Sequence, residues 1–220
     1  DRILTRADSK RHLQVRANAD NPEDAVRARQ FGAQGIGLCR TEHMFLGDRR
    51  QLIENVILAD TDEEREEAFA ALTPLQKGDF EGIFTAMDGL PVTVRLIDPP
   101  LHEFLPDLTE MSIKLALKAE RGEEVTAHEK KVMAAVRANH EQNPMLGLRG
   151  VRLGLKIRGL CTLQIRAIAE AYVECKNKGL DPRPEIMVPL IGSDRELQIV
   201  RDEALEIFRE ITEASGVTVD

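Results

Sequence analysis

The chain has 220 residues, 42% hydrophobic and 31% charged, which fits one globular domain with a sizeable core. A net charge of −8 with no basic stripe argues against nucleic acid as a general partner; an anionic small molecule stays open, because it needs only a few local arginines. No apolar run approaches the ~18 residues of a membrane span, and no secretory leader pattern opens the chain. The three cysteines, Cys39, Cys161 and Cys175, are scattered and form neither a CxxC pair nor a zinc pattern. Reduced thiols and a cytoplasmic location are the expectation.

In chain order, His12–Ala19 reads as a strand. Asn21-Pro22-Glu23-Asp24 then carries a helix start: Asn as cap, Pro at the first helical position, acids in the first turn. That helix should run to about Phe31 and close at Gly32. Gly35–Arg40 (GIGLCR) reads as a second, buried strand. Thr61-Asp62-Glu63-Glu64 has capping-box spacing and opens an acidic helix whose acid run is a solvated face. Pro91–Asp98 (PVTVRLID) is a third strand, rich in β-branched residues. Asp107–His140 reads as mostly helical and broken near Arg121-Gly122, an excursion spanning about residues 107–142. The segment just before Leu155 looks strand-like. Leu160, Leu163, Ala167, Ile168 and Ala171 recur at helical spacing. Glu185–Ile191 (EIMVPLI) is a fourth strand. Ser193-Asp194-Arg195-Glu196 is a second capping box, and Leu197, Val200, Ala204, Phe208 and Ile211 line one face of the last helix.

Strand and helix alternate, which predicts an α/β fold with a parallel sheet and outer helices. A complete eight-unit barrel takes about 250 residues. This chain spends its 220 on about four βα units and an excursion after strand three. The expectation is therefore a partial TIM (β/α)8 barrel, with two open sheet edges.

Function in such barrels lies at the C-terminal ends of the strands. Arg40 closes strand two, Arg95 lies near the end of strand three, and Arg149 lies in the turn just before Val151. Arg95 stands among Val92, Val94, Leu96 and Ile97, where a guanidinium needs a paired acid or a bound anion. It either forms a structural ion pair with Asp98 or Glu42, or grips a ligand. Three such arginines in one sheet point to a phosphate- or carboxylate-bearing small molecule, whose oxygens fit guanidinium forks. His43 and His102 are either substrate contacts or loop histidines satisfied by the backbone. Asn18 lines the mouth or caps the turn with Asp20. Arg152 is a fourth basic group or a structural one. Cys39 should face away from Arg40 as a small packed hydrophobe. The glycines of Gly32–Gly37 precede a strand, which argues against a dinucleotide or P-loop site.

Gly35-Ile36-Gly37-Leu38-Cys39-Arg40-Thr41-Glu42-His43-Met44-Phe45 resembles the signature of the phosphoenolpyruvate-utilising enzymes. Asp98-Pro99-Pro100-Leu101-His102-Glu103-Phe104 narrows the resemblance to the pyruvate, phosphate dikinase family. Asn143-Pro144-Met145-Leu146-Gly147, Leu75–Phe80 and Pro184–Leu190 agree with it. The resemblance implies the N-terminal part of a phosphoenolpyruvate/pyruvate-binding barrel. It implies interconversion of ATP, phosphate and pyruvate with AMP, pyrophosphate and phosphoenolpyruvate through a phosphohistidine on a separate domain. It gives Arg40, Arg95 and Arg149 catalytic and substrate-binding roles, toward the transferring phosphoryl group and the enolate oxygen. It also implies Mg²⁺ with ligands beyond Asp220, none in this chain, a dimeric parent, and no turnover by the chain alone. Leu148 stands where the family usually has His. The alternative is a non-catalytic anion-binding or assembly module that completes its barrel with another chain.

Overall fold

The computed structural model describes residues 2–140, 143 and 146–219. Pro144 and Met145 of the motif above, and residues 141–142 of the excursion, lie outside the described residues.

A short helix α1 (Arg2–Asp8) precedes β1 (Ala17–Asn18), α2 (Pro22–Gln30) and β2 (Ile36–Arg40). Helices α3 (Arg50–Leu58) and α4 (Asp62–Ala86) lead to β3 (Pro91–Arg95). The excursion is α5 (Leu108–Glu120) and α6 (Ala127–Ala138). Then come α7 (Val151–Lys156), α8 (Leu160–Asn177), β4 (Arg183–Met187) and α9 (Asp194–Ser215). The sheet is four-stranded and parallel, in sequential order β1-β2-β3-β4. This is an α/β fold with the strand order that part of a βα barrel has.

The helix starts follow local chemistry. The Asn21 side chain accepts from the Asp24 amide at 2.8 Å. Thr61 accepts from Glu64 N at 3.1 Å, while the Glu64 carboxylate takes the amide of Asp60, one residue before the cap. Glu196 accepts from Ser193 N at 3.1 Å. Each satisfies amides that a helix N-terminus leaves without partners. Pro74 sits inside α4 without an amide to donate, yet the helix runs through it. Burial of Leu72, Phe80, Ile83 and Phe84 on one side holds it.

One core joins Ile36, Cys39, Val92 and Val94 of the strands to the inner faces of α4, α8 and α9. A second lies beyond the C-terminal strand ends, around Phe45, Ile53, Ile97, Phe104, Leu153 and Leu160. A third joins α3 to the excursion through Leu58, Met111, Val132 and Val136. On α9, Val200 and Ile211 are buried and Ala204 and Phe208 pack partly buried against the core, as the spacing predicts; Ile207 joins them and Leu197 is exposed.

Several expected strands are shorter. His12–Gln14 and Val15 are exposed, and β1 is only two residues long. β3 ends at Arg95 and β4 runs Arg183–Met187, earlier than expected. Beyond Met187 the chain leaves the ladder: the Pro189 carbonyl accepts from Val151 N at 3.0 Å, and Leu190 has φ 60°. The segment before Leu155, expected to be strand-like, lies in α7 instead. Alternating Val151 and Leu153 mimics a strand, but both bury helically beside Gly154, which lies against Cys161.

Candidate active site

At the C-terminal end of the sheet, Arg40 and Arg95 are register partners on neighbouring strands. The alternating burial of β3 puts Val92 and Val94 in the core and leaves Thr93 and Arg95 on the other face. Cys39 is buried on the core side, and burial pushes its thiol up to about 12. It is a packed small side chain, as the sequence implies.

Arg40 is held by Asp20, which follows β1. The Asp20 carboxylate accepts from the Arg40 amide at 2.7 Å, from Nη2 at 2.7 Å and from Nε at 3.1 Å. The same carboxylate takes His43 Nδ1 at 2.8 Å. Burial raises the Asp20 carboxyl, but the Arg40 and His43 hydrogen bonds outweigh it and hold it below the usual range. Hydrogen bonding to Asp20 also raises Arg40. Arg40 Nη1 has no acceptor among the described residues and remains available to an incoming anion.

Arg95 pairs with both of its expected acids. Its Nη2 donates to Glu42 Oε1, and its Nη1 lies 3.0 Å from Asp98 Oδ2. Arg149 reaches the same Asp98 oxygen: Nη2 donates to Oδ2 at 2.6 Å and Nε to the Asp98 carbonyl at 3.3 Å. The three arginines thus form a pair on one side, joined by Asp98, and a separately held Arg40 in register beside Arg95.

The backbone after β3 is tied at several points. Thr41 Oγ1 donates to the Arg95 carbonyl at 3.0 Å, Leu96 N to Met187 O at 3.0 Å, and Ile97 N to Gln164 Oε1 at 2.8 Å. Gly150 N donates to Asp98 O at 2.9 Å. These bonds fix the strand ends and lace the 149–151 segment across β3 and β4. By contrast, buried polar atoms with no partner among the described residues include Glu42 Oε2, Arg95 Nε and Asp98 Oδ1. Such atoms are costly to leave unpaired, and these three group at the C-terminal end of the sheet.

The remaining candidates sort differently. His43 is satisfied by a carboxylate and not by the backbone. His102 Nδ1 is buried without a partner among the described residues. Asn18 is exposed and lines a separate depression of about 700 Å³ between α1, β1 and α2. It does not join the arginines, and the helix cap falls to Asn21. Arg152 is exposed and donates to Leu146 O at 3.4 Å, away from the cluster. Sequence reasoning missed Asp20 as the partner of Arg40; its place directly after a strand was the available signal. It also missed an ion pair on the open face of the sheet, Arg16 to Glu185 at 2.6 Å, with Thr93 bonding both.

Among the described residues no group of three or more His, Cys, Asp or Glu could hold a metal ion. Asp20, Glu42 and Asp98 are committed to arginines. No helix of the described residues is long and apolar enough to cross a membrane.

Over residues 1–220 the chain matches the family described as PEP-utilising enzyme, PEP-binding domain, and it belongs to that family. Its relatives are dikinases. It is 49% identical to pyruvate, phosphate dikinase 1, chloroplastic, of Arabidopsis thaliana, over 94% of this chain and 22% of the relative. It is 47% identical to the chloroplastic pyruvate, phosphate dikinase 1 of Oryza sativa subsp. japonica, over 99% of the chain and 23% of the relative. It is 46% identical to pyruvate, phosphate dikinase of Clostridium symbiosum, over 98% of the chain and 24% of the relative. The chain spans about a quarter of the length of these curated relatives.

Proposed function

We propose that this chain supplies the arginine side of the phosphoenolpyruvate/pyruvate site of a pyruvate, phosphate dikinase. Residues 1–220 are then the N-terminal part of its barrel domain. The overall reaction interconverts ATP, phosphate and pyruvate with AMP, pyrophosphate and phosphoenolpyruvate through a phosphohistidine on another domain. The observation that carries this reading is the register of Arg40 and Arg95, with Arg149 tied to Arg95 through Asp98.

A transferring phosphoryl group spreads charge over its oxygens, and fixed guanidinium groups stabilise that charge without reorganising. Arg40 Nη1 and Arg95 Nε, which have no acceptor among the described residues, are N–H groups that can donate to it. Pyruvate must also become an enolate, whose oxygen needs a neighbouring positive group. Each arginine has an acid partner, so the acids orient the forks while the resting site stays near neutral. Mg²⁺ enters only as part of the family's chemistry; no ligand in this chain is assigned to it and no step is routed through it. A dimeric parent and a cytoplasmic location belong to the same proposal, and the free thiols of Cys39, Cys161 and Cys175 support the second. The chain alone is assigned weak anion affinity and no turnover.

The test is Arg95→Ala in the full-length dikinase that carries this chain. Phosphoryl transfer from phosphoenolpyruvate should fall by about 100- to 1,000-fold, as on losing an oxyanion donor. A near-normal rate sinks the role.

One observation favours a second reading, an assembly module. Among the described residues β4 is the last strand of the sheet, and beside it lies an apolar cleft of about 350 Å³ lined by Ile186, Val188, Val200 and Phe208. Open edges invite pairing with another chain. A concentration-dependent mass in light scattering supports it, and a monodisperse monomer counts against it.

A further inference from the structure

We infer that Asp98 is a positioning residue that sets the placement of Arg95 and Arg149 relative to each other. The inference rests on the function proposed above.

One carboxylate oxygen, Asp98 Oδ2, is shared by two guanidinium groups, at 3.0 Å from Arg95 Nη1 and 2.6 Å from Arg149 Nη2. Two cations this close repel unless an anion lies between them, and burial strengthens both effects. Glu42, in the ion pairs among the described residues, is an acid of Arg95 alone. The Asp98 side chain is 7% exposed, so water contributes little screening.

A purely structural role fits poorly. The link between the 149–151 segment and β3 runs through the Asp98 carbonyl, which accepts from Gly150 N and Arg149 Nε. Any residue supplies that carbonyl. Among the described residues the carboxylate itself bonds the two arginines alone, and its Oδ1 is buried with no partner there. Such a side chain is costly as a stabiliser and apt as an orienting group. An amide at this place would turn either a weaker acceptor or a competing donor toward the guanidinium pair.

The experiment compares purified full-length dikinase with its Asp98→Asn, Arg149→Ala, Arg149→Lys and double Asp98→Asn/Arg149→Ala variants. Phosphoenolpyruvate-to-pyruvate kcat and KM are measured, and folding is checked by thermal melts. Asp98→Asn should lower kcat on the order of 100-fold, the scale of a small misplacement of catalytic groups. The double variant should stay within about threefold of the worse single one, because the two changes break one unit. Arg149→Lys should resemble Arg149→Ala, since charge without the fork does not restore position. A wild-type rate in Asp98→Asn, or full multiplication in the double variant, overturns the inference. If Asp98→Asn does not fold, Arg149→Lys decides alone: recovery of the rate by lysine overturns it. Wild-type rates in both Arg95→Ala and Arg149→Ala would instead reject the proposed function itself.

Discussion

Arg40 and Arg95 are partners in register across β2 and β3, so two guanidinium stems leave the sheet side by side at its C-terminal end. Adjacent strands lie about 4.8 Å apart, and like charges facing each other at that spacing destabilise a sheet. The arrangement persists because each arginine has its own acid: Asp20 for Arg40, and Glu42 with Asp98 for Arg95.

Asp20→Asn should therefore disturb Arg40 more than its own place in a loop suggests. Three donor groups of Arg40 and one of His43 converge on this carboxylate. In the full-length dikinase the expected loss in phosphoryl transfer is about 10- to 100-fold. Steady-state kinetics with phosphoenolpyruvate checks it, and an unchanged kcat/KM refutes the dependence.

Gly150→Ala should destabilise the fold by about 1–3 kcal/mol. Gly150 has φ +58°, and a Cβ there would lie 2.9 Å from Pro189 O and 3.0 Å from Leu190 Cβ. Both obstacles are tied in place, since Pro189 O holds Val151 N and Gly150 N holds Asp98 O. A melting temperature equal to wild type would show that the 149–151 segment adapts freely.

Gly154→Ala is destabilising for a different reason. Its Cβ would collide with Cys161 Sγ, between α7 and α8. The expected cost is about 1–3 kcal/mol from overpacking. Adding Cys161→Ala should recover part of it by removing the obstructing sulfur. Denaturant unfolding of the single and double variants measures the recovery, and purely additive losses would reject the contact as the cause.

Glu129 gives the excursion an acid-sensitive joint. Lys118 Nζ reaches both of its oxygens at 2.8 Å, Lys114 lies at 3.1 Å, and the Thr126 amide donates at 3.1 Å. Hydrogen bonding to Lys118, then to Thr126, pushes its carboxyl down to about 2. The unfolded value is about 4.3. A group lowered by folding stabilises most above its unfolded value and loses that contribution as pH falls toward the folded one. The melting temperature of Glu129→Gln should thus lie below wild type near neutral pH, with the gap shrinking below about pH 4. A gap independent of pH would remove Glu129 as its source.

The amino-acid sequence by itself determined the α/β class, the helix starts at Asn21, Thr61 and Ser193, and the placing of Arg40 and Arg95 at strand ends. All of these rest on neighbours a few residues apart, through capping hydrogen bonds and alternation of apolar side chains. The tertiary structure decided what those neighbours cannot reach. It brought Asp20 to Arg40 and Asp98 to Arg149, pairs separated by 20 and 51 residues, beyond the reach of capping or alternation. It made a helix of residues 151–156, where alternation imitates a strand and only burial against Cys161 and the bond to Pro189 select between them. It also shortened β4, because the Pro189 carbonyl is drawn to the segment beside Arg149 instead of continuing the ladder. The arginines can be read from the chain; their mutual geometry arises only when distant acids fold between them.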